Sequence, residues 1–269
     1  MAALFVNIAG AQFPCFSQTA GPQAHVVKYG AWVKPAVFTP DGHEQALLDF
    51  QRQTQGKPAI AHYYIAFNAD LGSEAAWALS KGMIPMVSMH CGKPTDVNRG
   101  AYDNYFKKFG QQIKACGGPV LFRYGFEMDN AHVEPDAGTP QQFKAAWQRV
   151  HTLIKDTKTG AGATNCEFVF CPTAEGYKLH ADLIKQMYPG APYTYFIACD
   201  GYNRTQPNGR SAKEIFASFL SVANELDSSK SLLIGETGTV GTDQQKADWL
   251  KDLGDWAKTT PRMWAVCYW

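Results

Sequence analysis

Eight short runs of β-forming residues recur along the chain, each separated from the next by a helical stretch. They are "VVKYGAWV" (26–33), "AIAHYYIAF" (59–67), "MIPMVSMH" (83–90), "PVLFRYGFEM" (119–128), "CEFVFCPTA" (166–174), "YFIACDGYN" (195–203), "SLLIGETG" (231–238) and "MWAVCYW" (263–269). Near-continuous apolar strands belong in a parallel sheet covered on both faces, and strand–helix alternation is the pattern of βαβ units. The helical stretches carry their own start signals. Thr139–Pro140 opens one with Phe143, Trp147, Val150 and Ile154 at helical spacing, and Ser211 with Glu214 three residues on forms a capping box before another. Seven such stretches separate the eight runs, and no helical stretch follows the eighth. Two architectures hold eight parallel strands: a closed barrel and an open doubly wound sheet. The open sheet usually carries a glycine-rich phosphate turn after its first strand. Here that place reads "KPAVFTPDGHE", and "TGAGATN" (159–165) precedes a strand, so it is a loop. The expectation is an α/β fold, a single-domain (β/α)8 TIM barrel over residues 26–269 that lacks a normal eighth helix, with residues 1–25 an N-terminal extension packing on it. A barrel of this kind needs roughly 250 residues, which the 269 of this chain supply.

Charge and composition exclude several functions. Lys and Arg number 25 against 24 Asp and Glu, and no basic tract stands out, so the clustered cations that phosphate binding needs are missing and no nucleic-acid partner is expected. No apolar run reaches the ~18 residues of a membrane span, so no membrane partner is expected either. The first basic residue is Lys28, so the N-terminus lacks the positive flank of a secretory signal. The seven cysteines are odd in number and show no CxxC spacing, which points to buried structural thiols and to no metal site.

The informative oddity is "VLFRYGFEMDN" (120–130), an apolar strand that acquires Arg123 and then Glu127 at its end. In (β/α)8 barrels the reactive residues lie at the C-terminal ends of strands. Glu127 ends the fourth run and Glu236 the seventh; Arg123, four residues before Glu127, is expected by pleat alternation to face the same side. His90 ends the third run, Asp200, Tyr202 and Asn203 the sixth, Trp269 the eighth. Two carboxylates in one pocket suit glycoside hydrolysis, one as proton donor and the other as nucleophile or base, and aromatic platforms suit the apolar faces of sugars. The Asn203–Arg204–Thr205 sequon lies at the expected pocket and reads as a ligand contact.

An acid on the fourth strand and a nucleophile on the seventh is the pattern of the retaining clan A glycoside hydrolases. "PVLFRYGFEMDN" resembles the acid/base segment of family 26, the β-mannanase family, which usually reads R-x-x-H-E-M-N. "YPGAPYTYFIACDGYN" and "SLLIGETG" are similar to its sixth-strand and nucleophile segments, and the resemblance runs over residues 26–269. It implies Glu127 as acid/base, Glu236 as nucleophile, Tyr202 as hydrogen-bond donor to that nucleophile, Arg123 as electrostatic support, and His90 and Trp269 as wall and floor of the reacting subsite. His62 on the second run is carried as a further sugar contact, against a reading as a core histidine. The departures are Phe126, where the family usually has His, Asp129, where Asn is common, and the lack of a following Trp, with His132 the nearest ring. Phe126 is therefore expected to line the sugar subsite.

The resemblance implies hydrolysis of a β-linked polysaccharide with retention, β-mannan first and mixed-linkage β-glucan or β-1,3-xylan behind it. No cofactor is required. The partner is a β-linked oligosaccharide or polysaccharide, the chain is expected to be monomeric, and the family setting implies secretion, with any leader outside these residues. Retention predicts the two carboxyls about 5–5.5 Å apart. Two other classes compete: a non-catalytic carbohydrate-binding barrel, with Phe126 marking a lapsed site, and a thiol hydrolase using Cys171 or Cys91 beside His90. The second lacks an electropositive motif to form a thiolate.

Overall fold

A computed structural model of the protein describes residues 26–205 and 209–269. The expected packing of residues 1–25, and Cys15 with it, lies outside the described residues. The eight strands are β1 (Lys28–Ala31), β2 (Ile60–Ile65), β3 (Ile84–Met89), β4 (Val120–Tyr124), β5 (Cys166–Phe170), β6 (Phe196–Asn203), β7 (Ser231–Thr239) and β8 (Met263–Tyr268). All neighbours are parallel, and β8 closes on β1 through the pairs Lys28–Ala265 to Ala31–Tyr268. The fold is the closed barrel expected from the sequence.

The helices among the described residues are α1 (Pro40–Thr54), α2 (Glu74–Ser80), α3 (Pro94–Asn98), α4 (Asp103–Ala115), α5 (Pro140–Lys155), α6 (Ala174–Leu179), α7 (Ala181–Met187), α8 (Ala212–Asp227) and α9 (Asp243–Thr259). Thr139, Ser211 and Thr242 each close a full capping box at α5, α8 and α9. The short α3 and the broken pair α6–α7 go beyond the seven helical stretches read from the sequence, because helices of five to seven residues are too brief to show a periodicity.

Pleat parity sorts the strand side chains into two cores. Ile60, Met86, Leu121, Val169, Phe196, Ala198, Leu233, Ala265 and Cys267 fill the barrel interior. The alternate residues, including Val87, Phe122, Phe168, Ile197, Cys199 and Ile234, pack outward against Phe106, Trp147, Phe216 and other helix residues. Continuing the interior parity upward gives a polar layer of His62, Ser88, Arg123 and Asp200, all buried. Outside the β8–β1 seam, α1 and α9 flank an apolar groove of about 560 Å³ lined by Phe50, Leu250, Leu253 and Ala257; among the described residues no helix covers it.

Two places break the parity, and both carry a carboxylate. β4 ends at Tyr124, earlier than the sequence suggests, so the expected pleat relation between Arg123 and Glu127 does not hold. Gly125 and Glu127 both take left-handed backbone (φ 60° and 51°), and this turn swings Glu127 over the barrel mouth. Its amide donates to the Cys171 carbonyl at 2.8 Å, which ties the turn to the end of β5. In β7 the register slips: Cys199 pairs with Ile234 but Asp200 pairs with Glu236, so Gly235 is an extra residue. Strict alternation would put Glu236 on the outward side with Ile234. The bulge returns it to the interior, a common use of bulges beside functional sites.

Candidate active site

Glu127, Asp200 and Glu236 each place a carboxylate oxygen within 4.8 Å of the other two at the barrel mouth. That bound is shorter than the roughly 6.5–9.5 Å between the carboxyl groups of an inverting pair. The cluster holds its own counter-charge: the Arg123 guanidinium donates from Nη1 to Glu236 at 2.8 Å and from Nη2 to Asp200. Arg123 is fully buried, so this pairing is exchanged with neither water nor salt.

The two glutamates sit in opposed environments. Glu236 is 4% exposed, and burial alone would raise its pKa. Arg123, then the Tyr202 hydroxyl at 2.6 Å and the Tyr64 hydroxyl, overcome that and hold its pKa below the ordinary glutamate value. Glu127 is paired with no cation. Burial first, and then the charge of Glu236, raise its pKa, against a hydrogen bond from Asn130 Nδ2 at 3.0 Å and the more distant charge of Arg123. Asp200 is pushed up by burial and by both glutamates, against the pull of Arg123. One carboxylate is thus kept ionised and its neighbour inclined to hold a proton, the arrangement that acid-plus-nucleophile chemistry requires.

An open cleft of about 950 Å³ runs over this pair, lined by Trp32, Tyr64, His90, Phe126, Tyr202 and Trp269 among others. Trp269 is 47% exposed and stacks on Trp32 with ring centroids 5.1 Å apart, and the Tyr202 ring meets Trp269 edge-on. Phe126 borders the cleft although it is mostly buried. Its ring packs between Tyr64 and His90 at 5.5 and 5.2 Å, with the Arg123 guanidinium 5.1 Å from its centroid. His90 is half-exposed and held by buried Glu134 at 3.2 Å, which raises its pKa.

Four of the expected contacts are buried and bonded to other side chains, although Asn203 borders this cleft and Asp200 the space beside Glu127. His62 is buried beneath Tyr64, bonded to Ser88 at 2.7 Å and close to Arg123 at 3.3 Å. Since Arg123 can only donate, His62 Nε2 accepts, and burial drives its pKa down to about 3, so the ring is neutral support beneath the site. Arg123 and Asp200 are 0% and 2% exposed and bonded to one another; Arg123 also reaches Glu236 and His62, with its Nε unpartnered among the described residues, and Asp200 accepts from Cys171. Asn203 is 1% exposed; it donates to Thr239 Oγ1 and accepts from the Arg210 amide. Met128 packs in the outer core. Asp129 accepts from the Thr173 amide at 2.9 Å and pins the turn after β4 to the end of β5.

Trp32, Tyr64, Asn130 and Glu134 were not among the expected site residues. Trp32 and Tyr64 sit at or near the ends of strand runs and were open to the same strand-end argument. Glu134 lies in a loop, where only tertiary contact to His90 marks it. Of the six described cysteines five are buried, and none is in a disulfide. Cys171 donates to Asp200 Oδ1 at 3.1 Å, and burial raises the thiol pKa of both Cys171 and Cys91, so neither is an activated nucleophile.

No family model matches the chain, and no curated protein matches it significantly. Solved structures do. A modular endo-β-1,4-mannanase from Cellulomonas fimi aligns over 93% of this chain and 66% of its own length, just under two thirds, with a TM-score of 0.68 and 14% identity. GH26C from a Muricauda species aligns over 90% and 79%, with a TM-score of 0.67 and 15% identity. A β-mannanase from a symbiotic protist of the termite Reticulitermes speratus, solved with a gluco-manno-oligosaccharide, aligns over 90% and 79%, with a TM-score of 0.64 and 16% identity. At this identity the likeness establishes the shared barrel fold.

Proposed function

We propose that the protein is a retaining glycoside hydrolase acting within β-linked polysaccharides, β-mannan first, with Glu127 as acid/base and Glu236 as nucleophile. The observation that carries this is the pair itself: two carboxylates within 4.8 Å, one held ionised by Arg123 and the other pushed toward protonation by burial and its neighbour's charge. Glu127 protonates the glycosidic oxygen while Glu236 attacks the anomeric carbon. The leaving sugar departs with that proton, and Glu127 then takes a proton from the water that releases the glycosyl-enzyme. Trp269 and Phe126 offer apolar faces to the sugar rings. A lobe beside Glu127 and another beside His90 adjoin the cleft through shared lining residues, which favours binding an internal stretch of polymer over a chain end. The β-mannanases among the similar solved structures give the substrate its first candidate.

A non-catalytic sugar-binding barrel is the competing reading, and product stereochemistry separates the two. With an activated aryl glycoside, Glu127→Ala plus azide is expected to yield the β-glycosyl azide, because the anion attacks the intermediate without base assistance. Glu236→Ala plus azide is expected to yield the α-azide, by a single displacement from the opposite face. On unactivated polymer, loss of the acid costs typically ~10²–10⁴-fold. Wild-type-like turnover by both variants, or β-azide from Glu236→Ala, would falsify the assigned roles.

A further inference from the structure

Beside the main cleft lies a lobe of about 530 Å³ that reaches Glu127 but not Glu236 or Trp269. On the proposed glycosidase reading, on which this inference rests, a space that touches the proton donor and not the nucleophile receives the leaving part of the glycan. Its charged walls are Arg204, Arg210 and Lys178 against Glu127, Asp129, Glu175 and Asp200. Most of the acids are already engaged. Asp200 is held by Arg123, Asp129 by Thr173, and Glu127 accepts from Asn130. Glu175 alone is exposed.

The arginines are the opposite case. Arg52, Arg99, Arg123 and Arg149 each have a carboxylate partner, and Arg262 is bonded to two carbonyls and to Asn224. Among the described residues, Arg204 and Arg210 alone have no carboxylate or carbonyl partner for their guanidinium, and both line this lobe. Glu214, which feels the charge of Arg210, is occupied in capping α8. Arg204 is also oriented: its guanidinium lies 5.0 Å over the ring of Tyr202, whose hydroxyl is fixed on Glu236. A stacked guanidinium keeps its donor edge free and is suited to planar, two-point recognition of a carboxylate.

We propose that this lobe binds a carboxylate-bearing sugar residue on the leaving-group side of the scissile bond, with Arg204 and Arg210 as its contacts. The glycan would then be acidic, or carry acidic units, at that position. Neutral polymers would still be accepted through the aromatic cleft.

Reducing-end aldonates test this, because oxidising that end places one carboxylate on the leaving-group side without altering the other sugars. Binding of manno- and cello-oligosaccharides from disaccharide to tetrasaccharide, and of their aldonic acids, would be measured by calorimetry on Glu236→Gln. At one or more lengths the acid is expected to bind on the order of tenfold more tightly than its neutral parent, as for a hydrogen bond to a charged group. The advantage should fall with added salt. Arg204→Gln and Arg210→Gln, placed in the Glu236→Gln background, should each shrink the acid-to-neutral ratio several-fold, and Arg204→Lys should keep part of it. Neutral sugars bound with no preference for the acid at any length would overturn this inference alone. A preference untouched in both Gln variants would also overturn it. Failure of every oligosaccharide to bind would sink the glycosidase reading together with it.

Discussion

At the scale of single residues, the site is a matter of which carboxylate owns the cation. Arg123 reaches Glu236 and Asp200 and leaves Glu127 without one, so the two glutamates move in opposite directions from one ordinary pKa. Tyr202 sharpens that division through a 2.6 Å bond to Glu236. Tyr202→Phe removes a donor to the ionised form, so Glu236 needs a higher pH to ionise. The acid limb of the kcat/KM profile is expected to move upward while the alkaline limb, set by Glu127, stays. A hydrogen bond to a charged group is worth ~1.5–3 kcal/mol, so kcat/KM at its optimum should fall roughly 10–100-fold. An unmoved acid limb would show that another group ionises there. Phe126 belongs to this scale too. It fills the place next to the acid with a ring clamped among Tyr64, His90 and Arg123, where it adds apolar contact and no hydrogen bond.

At the scale of elements, one glycine decides where the nucleophile points. A Cβ on Gly235 would lie 2.5 Å from Asp200 Oδ1, 2.8 Å from Cys171 Sγ and 3.2 Å from Arg123 Cζ. Gly235→Ala therefore forces the buried ion pair apart or straightens the bulge, and straightening would turn Glu236 outward. Overpacking of this kind typically costs 1–3 kcal/mol, and activity is expected to fall further than stability, because ångström errors in a reacting pair are amplified. Ser211→Ala makes the contrast. It removes a capping box at α8, should cost about 1 kcal/mol by chemical denaturation, and should leave kcat unchanged, because the cap lies outside the carboxylate cluster. Equal activity losses in the two variants would mean that the bulge has no special part in aiming Glu236.

At the scale of the whole molecule, the barrel carries a stability cost at its mouth. A carboxylate whose folded pKa is raised above its unfolded value destabilises the fold once pH exceeds the unfolded value, and costs nothing well below it. Glu127 is in that position, through burial and then the charge of Glu236. Glu127→Gln keeps the shape and removes the charge. Its melting temperature is expected to exceed the parent's near pH 7, with the gain fading as pH falls below about 4, where an unfolded glutamate is itself protonated. Glu236 has the opposite sign: its folded pKa is lowered, so its contribution is present above the unfolded value and is lost as pH falls through the folded one. A Glu127→Gln protein no more stable than the parent at pH 7 would show that Glu127 is well solvated there.

The sequence by itself determined the barrel, because strand number, apolar continuity and helix caps are local or periodic properties. Parity alone also carried His62, Ser88, Arg123 and Asp200 into one buried polar layer, since each lies an even number of residues along its strand from an interior apolar neighbour. Both glutamates were legible as strand-end carboxylates, yet neither reaches the mouth by strand geometry. Glu127 gets there through a left-handed turn after β4, and Glu236 through a bulge whose register exists only in the pairing of β6 with β7. A side chain's facing is readable from sequence while the pleat is regular and unreadable where the backbone departs from it. The roles of His62, Asn203 and Glu134 were hidden for a related reason: whether a polar group meets a ligand or another side chain depends on neighbours tens of positions away in the chain. Only the closed tertiary structure brings Ser88 to His62, Thr239 to Asn203 and His90 to Glu134.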